Sequence, residues 1–288
     1  MTYCIGMRLD DGLVFLSDSR TNAGVDQIST FRKMTVFEHP GERLMVLLSA
    51  GNLAITQAVQ HIVCERQSPG QSSLWNAAGM LEAVRVVGEA VREVRDRDAA
   101  ALNESGVEFT CSFIFGGQIR GESMRLFHVY AAGNFIEATP ENPYFQIGEA
   151  KYGKPIIDRV VSPSTPLGEA AKCALISMDS TLRSNISVGL PLDLLVYEAG
   201  QLRVTKFVQI DHENEYMQMI RNTWGARLRQ VFSEIPDPTW RDASPVSKAP
   251  RLETAACTPV RAPLPAGLEA DTANGAPPIQ LVAQGPRF

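Results

Sequence analysis

The sequence predicts an α+β protein. Apolar, β-branched runs bounded by turn residues recur in blocks, the pattern of strands. Between them, long stretches repeat apolar residues at three- and four-residue spacing, the pattern of amphipathic helices. The order along the chain is strands, two helices, strands, helices, strands, helix. Two antiparallel sheets stacked face to face with helices outside satisfy that order, and so does an α+β domain with one sheet. Periodicity alone does not choose between them.

Residues 2–9 are small and branched apolar, Asp10-Asp11-Gly12 is a tight turn, and Leu13 to Ser17 returns, which predicts a hairpin. A polar loop is expected over Ser19 to Gln27, then a strand from Lys33 to Phe37, a turn at His39-Pro40-Gly41, and a buried strand from Arg43 to Ser49. Asn52 is placed to cap a helix to about Glu65, with Leu53, Ile55, Val59, Ile62 and Val63 on one stripe. A second helix is expected from about Asn76 to Arg97, carrying Leu81, Val84, Val87, Val91 and Val94. Strands then fall at 109–115, 124–130, 135–138 and 145–147, and a helical block at 152–183 is broken between Pro163 and Pro166. Strands at 192–197 and 202–208 precede a last helix after Asp211, with Glu213 and Glu215 in its first turn. Its apolar positions are Tyr216, Ile220, Trp224, Leu228 and Val231.

From about Pro236 the composition changes. More than half of the 18 prolines lie in the last 53 residues, among Ala, Thr and Gly. Such a segment buries too little apolar surface to offset its ordering entropy. The chain therefore divides into a folded domain over 1–235 and a Pro/Ala-rich disordered tail over 236–288.

A formal charge of -5 gives no electrostatic reason to expect nucleic acid or an anionic membrane as partner. No run approaches the length of a membrane span, and the N-terminus lacks the pattern of a signal peptide. The five cysteines are scattered without a C-x-x-C pair, which fits a reducing cytoplasm. No H-E-x-x-H, Walker lysine loop, G-x-G-x-x-G or G-x-S-x-G occurs, so neither a metal nor another cofactor is expected.

Chemistry concentrates near the N-terminus. Thr2 is a small second residue, so Met1 is open to removal, which leaves a hydroxyl and an α-amine on one residue. That amine has an ordinary pKa near 8, low enough to accept the hydroxyl proton near neutrality. Asp18 ends the strand paired with the N-terminal one. Lys33 supplies a positive charge that Asp18 can hold. Ser49-Ala50-Gly51-Asn52 is a strand-to-helix turn whose N–H groups suit a developing oxyanion. Taken singly, each of these is also an ordinary structural feature: a solvated charge, or a helix cap.

The strings are more specific than the spacing. Asp18-Ser19-Arg20-Thr21-Asn22-Ala23-Gly24 followed by Phe31-Arg32-Lys33 resembles the proteasome β-subunit segment D-S-R-A-T-x-G that leads to the catalytic lysine. Ser49-Ala50-Gly51-Asn52 resembles its A-G oxyanion turn, and Phe145-Gln146-Ile147-Gly148 its A-I-G strand. With T-Y-C-I-G at the start and S-N-I-S-V-G-L-P-L-D-L-L-V-Y at 184–197, residues 2 to about 235 resemble the bacterial Anbu branch ("ancestral beta subunit"), relatives of the proteasome and of the heat-shock peptidase HslV.

The resemblance implies the four-layer αββα sandwich of N-terminal nucleophile hydrolases. It implies a threonine peptidase with Thr2 as nucleophile, Asp18 and Lys33 as its activating pair, and Gly51 as oxyanion donor. Arg20 would brace the Asp18 loop, Asn22 would pair an extended substrate through its backbone, and Thr21 and Ser49 would border the pocket for the side chain before the cut bond. It also implies a large homo-oligomer, a ring or an open helical array, in the cytoplasm; any unfolding ATPase would be a separate chain. Two positions depart from the pattern. Glu149 stands where active proteasome subunits carry a serine. Ser184 and Ser187 occupy a loop where an aspartate precedes a serine, leaving Asp179 as the nearby acid. These departures keep two alternatives open: a self-assembling scaffold without useful peptidase activity, and an amidase acting on a small amide or a γ-linked peptide.

Overall fold

The computed structural model describes residues 2–23, 27–66 and 71–239, with main chain only at 22, 23, 27 and 28. The chain divides into a unit of Met1–Ile235 and a second of Pro236–Phe288. The tail expected to be disordered lies, from residue 240 on, outside the described residues. Among the described residues, twelve strands and five helices form the first unit.

One five-stranded sheet has the order β10-β1-β2-β11-β12, a second the order β5-β6-β7-β8-β9, and β3 and β4 form a two-stranded ribbon. The strands of the first sheet are β1 (Tyr3–Leu9), β2 (Gly12–Asp18), β10 (Tyr144–Gly148), β11 (Leu192–Glu198) and β12 (Lys206–Ile210). Those of the second are β5 (Met34–His39), β6 (Arg43–Gly51), β7 (Cys111–Ile119), β8 (Arg125–Val129) and β9 (Phe135–Glu137). All the strand pairs are antiparallel. Helices α1 (Leu53–Glu65) and α2 (Met80–Glu104) cover the second sheet; α3 (Lys154–Val160), α4 (Leu167–Ser184) and α5 (Glu215–Glu234) cover the first.

Side-chain alternation explains how two sheets and two helical layers share one chain. On β6, Leu44, Val46, Leu48 and Ala50 enter the core between the sheets, while Met45 and Leu47 pack under α1 and α2. On β2, Leu13 and Phe15 face the other sheet, while Val14 and Leu16 pack against α4 and its neighbours. Both faces are apolar because both are covered, so these strands read as unbroken apolar runs. At two close approaches of the sheets the side chain is missing altogether. A Cβ on Gly6 would lie 2.6 Å from Ile114 Cγ2, and one on Gly116 3.1 Å from Phe15 Cζ. The four-layer αββα sandwich is the architecture observed.

Several boundaries differ from the sequence expectation for local reasons. The stretch expected as a polar loop, Ser19 to Gln27, holds β3 (Arg20–Ala23) and the first residue of β4 (Gln27–Thr30), a ribbon belonging to neither five-stranded sheet, whose mostly polar sequence lacks the apolar pattern that signals a strand. Helix α2 begins at Met80 rather than near Asn76. The Asn76 side chain instead accepts the Ser73 N–H at 2.7 Å, and Glu122 from the β7–β8 turn accepts the Met80 N–H at 2.7 Å, putting a carboxylate at the helix N-terminus. Strand β12 starts at Lys206, because Leu202 takes φ 48° in the preceding turn. Asn214 caps α5, so Glu215 lies in the first turn and Glu213 before the cap. On α5 only Met217 and Ile220 are buried, while Leu228 and Val231 are exposed.

Candidate active site

Strand β1 has hydrogen-bonded neighbours on both sides, β2 and β10, and Thr2 immediately precedes it. The Glu149 N–H donates to the Thr2 carbonyl at 2.7 Å. The chain reaches that contact by turning at Gly148 with φ 81°, where a Cβ would lie 1.9 Å from the Thr2 oxygen. Only glycine fits that approach.

Register places Cys4 opposite Ser17, which brings Asp18 to the Thr2 end of β1. The buried Asp18 carboxylate accepts from the Tyr3 N–H at 3.0 Å, from Lys33 Nζ at 2.7 Å and from the Gly189 N–H at 3.3 Å. Burial pushes its pKa up, against the pull of the Lys33 ammonium and the two backbone donors. Lys33 Nζ also donates to the Arg20 carbonyl at 2.6 Å. The Lys33 carbonyl accepts the Ser49 N–H at 2.9 Å, tying the segment before β5 to the end of β6. Ser49 Oγ in turn accepts from Gln60 Nε2 at 3.4 Å, from about two turns of α1 beyond the Asn52 cap.

These elements enclose a cavity of about 470 Å³ lined by Thr2, Lys33, Ser49, Gly51 and Glu149, with Thr21 at its border. Gly51 has φ 116°, and a Cβ there would strike the Thr110 carbonyl oxygen at 2.4 Å, so this turn in the cavity wall also requires glycine. Of the residues singled out from the sequence, Thr2, Lys33, Gly51, Thr21, Ser49 and Glu149 meet in this one space. Asp18 stands behind it, holding Lys33. Asn22 lies on β3, but its side chain falls outside the described residues. Arg20 does not line the cavity; its Nη1 donates to the Ile186 carbonyl at 2.9 Å, and its guanidinium packs where Gly189 has no side chain.

Ser184, Ser187 and Asp179 are not brought to the cavity either. Ser184 ends α4 and is exposed, and Ser187 lies in the loop beyond, where its N–H bonds the Asn185 side chain at 2.9 Å. Asp179 does not reach in either, because Arg183 at 3.2 Å and Arg221 at 3.4 Å hold it against α5. Arg32, Thr56 and Gln60 line the cavity without having been singled out. For the last two a signal exists: their i, i+4 spacing puts two polar groups on one side of α1, next to the apolar stripe.

The αββα sandwich, with Thr2, Lys33 and Gly51 lining one cavity at the start of β1, is a proteasome-type fold. No family model and no curated protein matches the chain. Solved structures do. Anbu (ancestral beta-subunit) from Yersinia bercovieri is 54% identical, covering 82% of this chain and 99% of its own, with a TM-score of 0.77. Anbu from Hyphomicrobium sp. strain MC1 is 50% identical over 82% of this chain and 99% of its own, with a TM-score of 0.77. The helical assembly of the Anbu complex from Pseudomonas aeruginosa gives 47%, 82%, 98% and 0.79. The chain belongs to the Anbu family. No helix among the described residues is long and apolar enough to cross a membrane.

Proposed function

We propose that this chain is a threonine-type N-terminal nucleophile hydrolase that cleaves peptides or amides, with Thr2 as its nucleophile once Met1 is removed. The observation that carries the reading is the convergence of Thr2, Lys33 and Gly51 on one cavity, with Lys33 held 2.7 Å from a buried Asp18. In the reaction the Thr2 hydroxyl gives its proton to its own α-amine, directly or through a water, and attacks the substrate carbonyl. Lys33 favours the deprotonated oxygen electrostatically. The Gly51 N–H receives the oxyanion of the tetrahedral intermediate. The amine component leaves with the proton, and water hydrolyses the resulting Thr2 ester. Thr21 and Ser49 border the side-chain pocket, and β3 at Asn22 offers backbone groups to an extended peptide. Arg20 braces the loop behind Asp18, and Glu149, on the cavity wall, orients the freed amine.

The test is intact mass after incubation with a threonine-directed epoxyketone, beside Thr2→Ala. Loss of Met1 and a single adduct, absent from the folded variant, is the expected result. A retained Met1, or no adduct on folded protein, overturns the reading.

We further propose that the chain works as a large homo-oligomer in the cytoplasm, by analogy with the helical assembly of the Pseudomonas aeruginosa relative. The exposed Leu228, Val231 and Phe232 on α5 offer apolar surface for subunit contact. Sedimentation of the purified chain tests this, and a monomer at micromolar concentration overturns it. A second reading, a self-assembling scaffold without turnover, draws on the positions of Ser184, Ser187 and Asp179 away from the cavity. It predicts that Thr2 takes up no label.

A further inference from the structure

A second cavity, of about 540 Å³, opens where the edge strand β5 of one sheet meets β11 and β12 of the other. Its walls include Trp75, Val36, Val204 and Phe207, and Arg32 borders both it and the Thr2 cavity. Trp75 is packed edge-on to Phe37 with centroids 5.9 Å apart, so its ring is fixed, yet it stays 36% exposed.

Asp193 lines this space while only 2% exposed. Leu195 and Tyr197, two and four residues further along β11, belong to the core between the sheets, so Asp193 projects into the same gap. Its Oδ1 is buried without a hydrogen-bond partner. Directly opposite on β2 stands Ser17, whose Oγ is likewise buried and unpartnered. Arg32 acts on Asp193 through space, but among the described residues no ion pair joins them. Glu38 lines the cavity as well, with Oε1 occupied by the Val204 N–H at 2.8 Å. A carboxyl group buried in an apolar strand and lacking a donor is unfavourable unless a counter-charge reaches it. Burial accordingly pushes Asp193 up from the usual carboxylate range.

The remaining surface fits such a counter-charge. Aromatic rings beside a carboxylate suit a cation on an apolar stem, through contact with ring faces and burial of methylenes. We propose that this cavity binds an aliphatic cation, an ammonium or guanidinium carried on an apolar stem as in lysine, with Asp193 as its counter-charge and Trp75 and Phe207 along the stem. The site is independent of the Thr2 chemistry and holds whether or not Thr2 is reactive.

The test is titration of the full-length protein with n-hexylamine, followed by calorimetry and by Trp75 fluorescence, with hexan-1-ol as the uncharged control. Saturable amine binding at least tenfold tighter than the alcohol is expected, with the fluorescence change lost in Trp75→Phe. Asp193→Asn should weaken amine binding at least tenfold, and Phe207→Ala, on the exposed wall, should weaken it severalfold. A short acetylated, amidated peptide with one lysine identifies the source of the cation. Binding tighter than hexylamine assigns a peptide side chain, and weaker binding a free amine. No saturable binding, equal binding of hexanol, or undiminished binding by folded Asp193→Asn overturns the proposal.

Discussion

The Tyr3 N–H donates to Oδ1 of Asp18 at 3.0 Å, the same oxygen that receives Lys33 Nζ. One carboxylate oxygen therefore fixes both the peptide group that follows Thr2 and the ammonium beside it. The pair is nearly dry, with side-chain exposures of 6% for Lys33 and 0% for Asp18. Removing one partner of such a pair leaves an uncompensated buried charge. Asp18→Ala should destabilise the fold by about 3–5 kcal/mol, and Asp18→Asn combined with Lys33→Met by less than the sum of the two single changes. Denaturant melts of the four variants, read as a double-mutant cycle, check this.

Gly148→Ala should lower both stability and reactivity. The left-handed backbone costs an alanine on the order of 1 kcal/mol, and the new methyl drives the Thr2 carbonyl away from the Glu149 N–H. Labelling of Thr2 should slow at least tenfold while the protein remains folded. Circular dichroism with timed mass spectra separates the two effects.

Close approach of the two sheets at Gly6 sets a third expectation. Gly6→Ala overpacks the contact with the Ile114 β-branch and should cost about 1–3 kcal/mol. Ile114→Leu, which has no β-branch, should recover part of that loss in the double variant though it gains nothing alone. Midpoints of urea unfolding decide it.

The fourth expectation concerns pH. Asp193 has a pKa raised in the folded state by burial, with Arg32 pulling the other way and Glu38 the other acid on the cavity wall. A carboxyl group raised in the fold favours the native state most below its unfolded value of about 3.9, and that contribution is lost as pH rises through the folded value. The stability of Asp193→Asn relative to the parent should therefore increase from pH 4 to pH 7. Paired denaturation curves at the two values, without added amine, test the sign.

Much of the fold was legible because the strongest signals are local. Asn52 caps α1 through its side chain, Asp10-Asp11-Gly12 turns β1 into β2, and Pro163 to Pro166 separates α3 from α4. The stacking of two sheets was not legible from periodicity. Strands such as Arg43–Gly51 are covered on both faces and lose the polar alternation that assigns a face; the likeness of Asp18 to Ala23 and of Lys33 to a known segment supplied the layers. The β3–β4 ribbon escaped because Arg20 to Ala23 and Gln27 to Thr30 are mostly polar and lack the apolar alternation of a sheet strand. At the site, Thr2, Lys33 and Gly51 come from three separated strings that the fold gathers. Asp193 went unremarked, although a lone acid inside the apolar run Leu192 to Tyr197 is the kind of local inconsistency that marks a constrained position.

The placement of β1 inside its sheet has a kinetic consequence. A strand hydrogen-bonded on both sides exchanges its amide protons only when the whole cooperative unit opens, whereas edge strands and ribbons open in smaller fluctuations. Tyr3 to Leu9 should thus be among the slowest-exchanging amides of the molecule and β3–β4 among the fastest. Any regulation of the proposed centre must then act by admitting or excluding the reacting partner, since melting the strand that follows Thr2 means unfolding the protein.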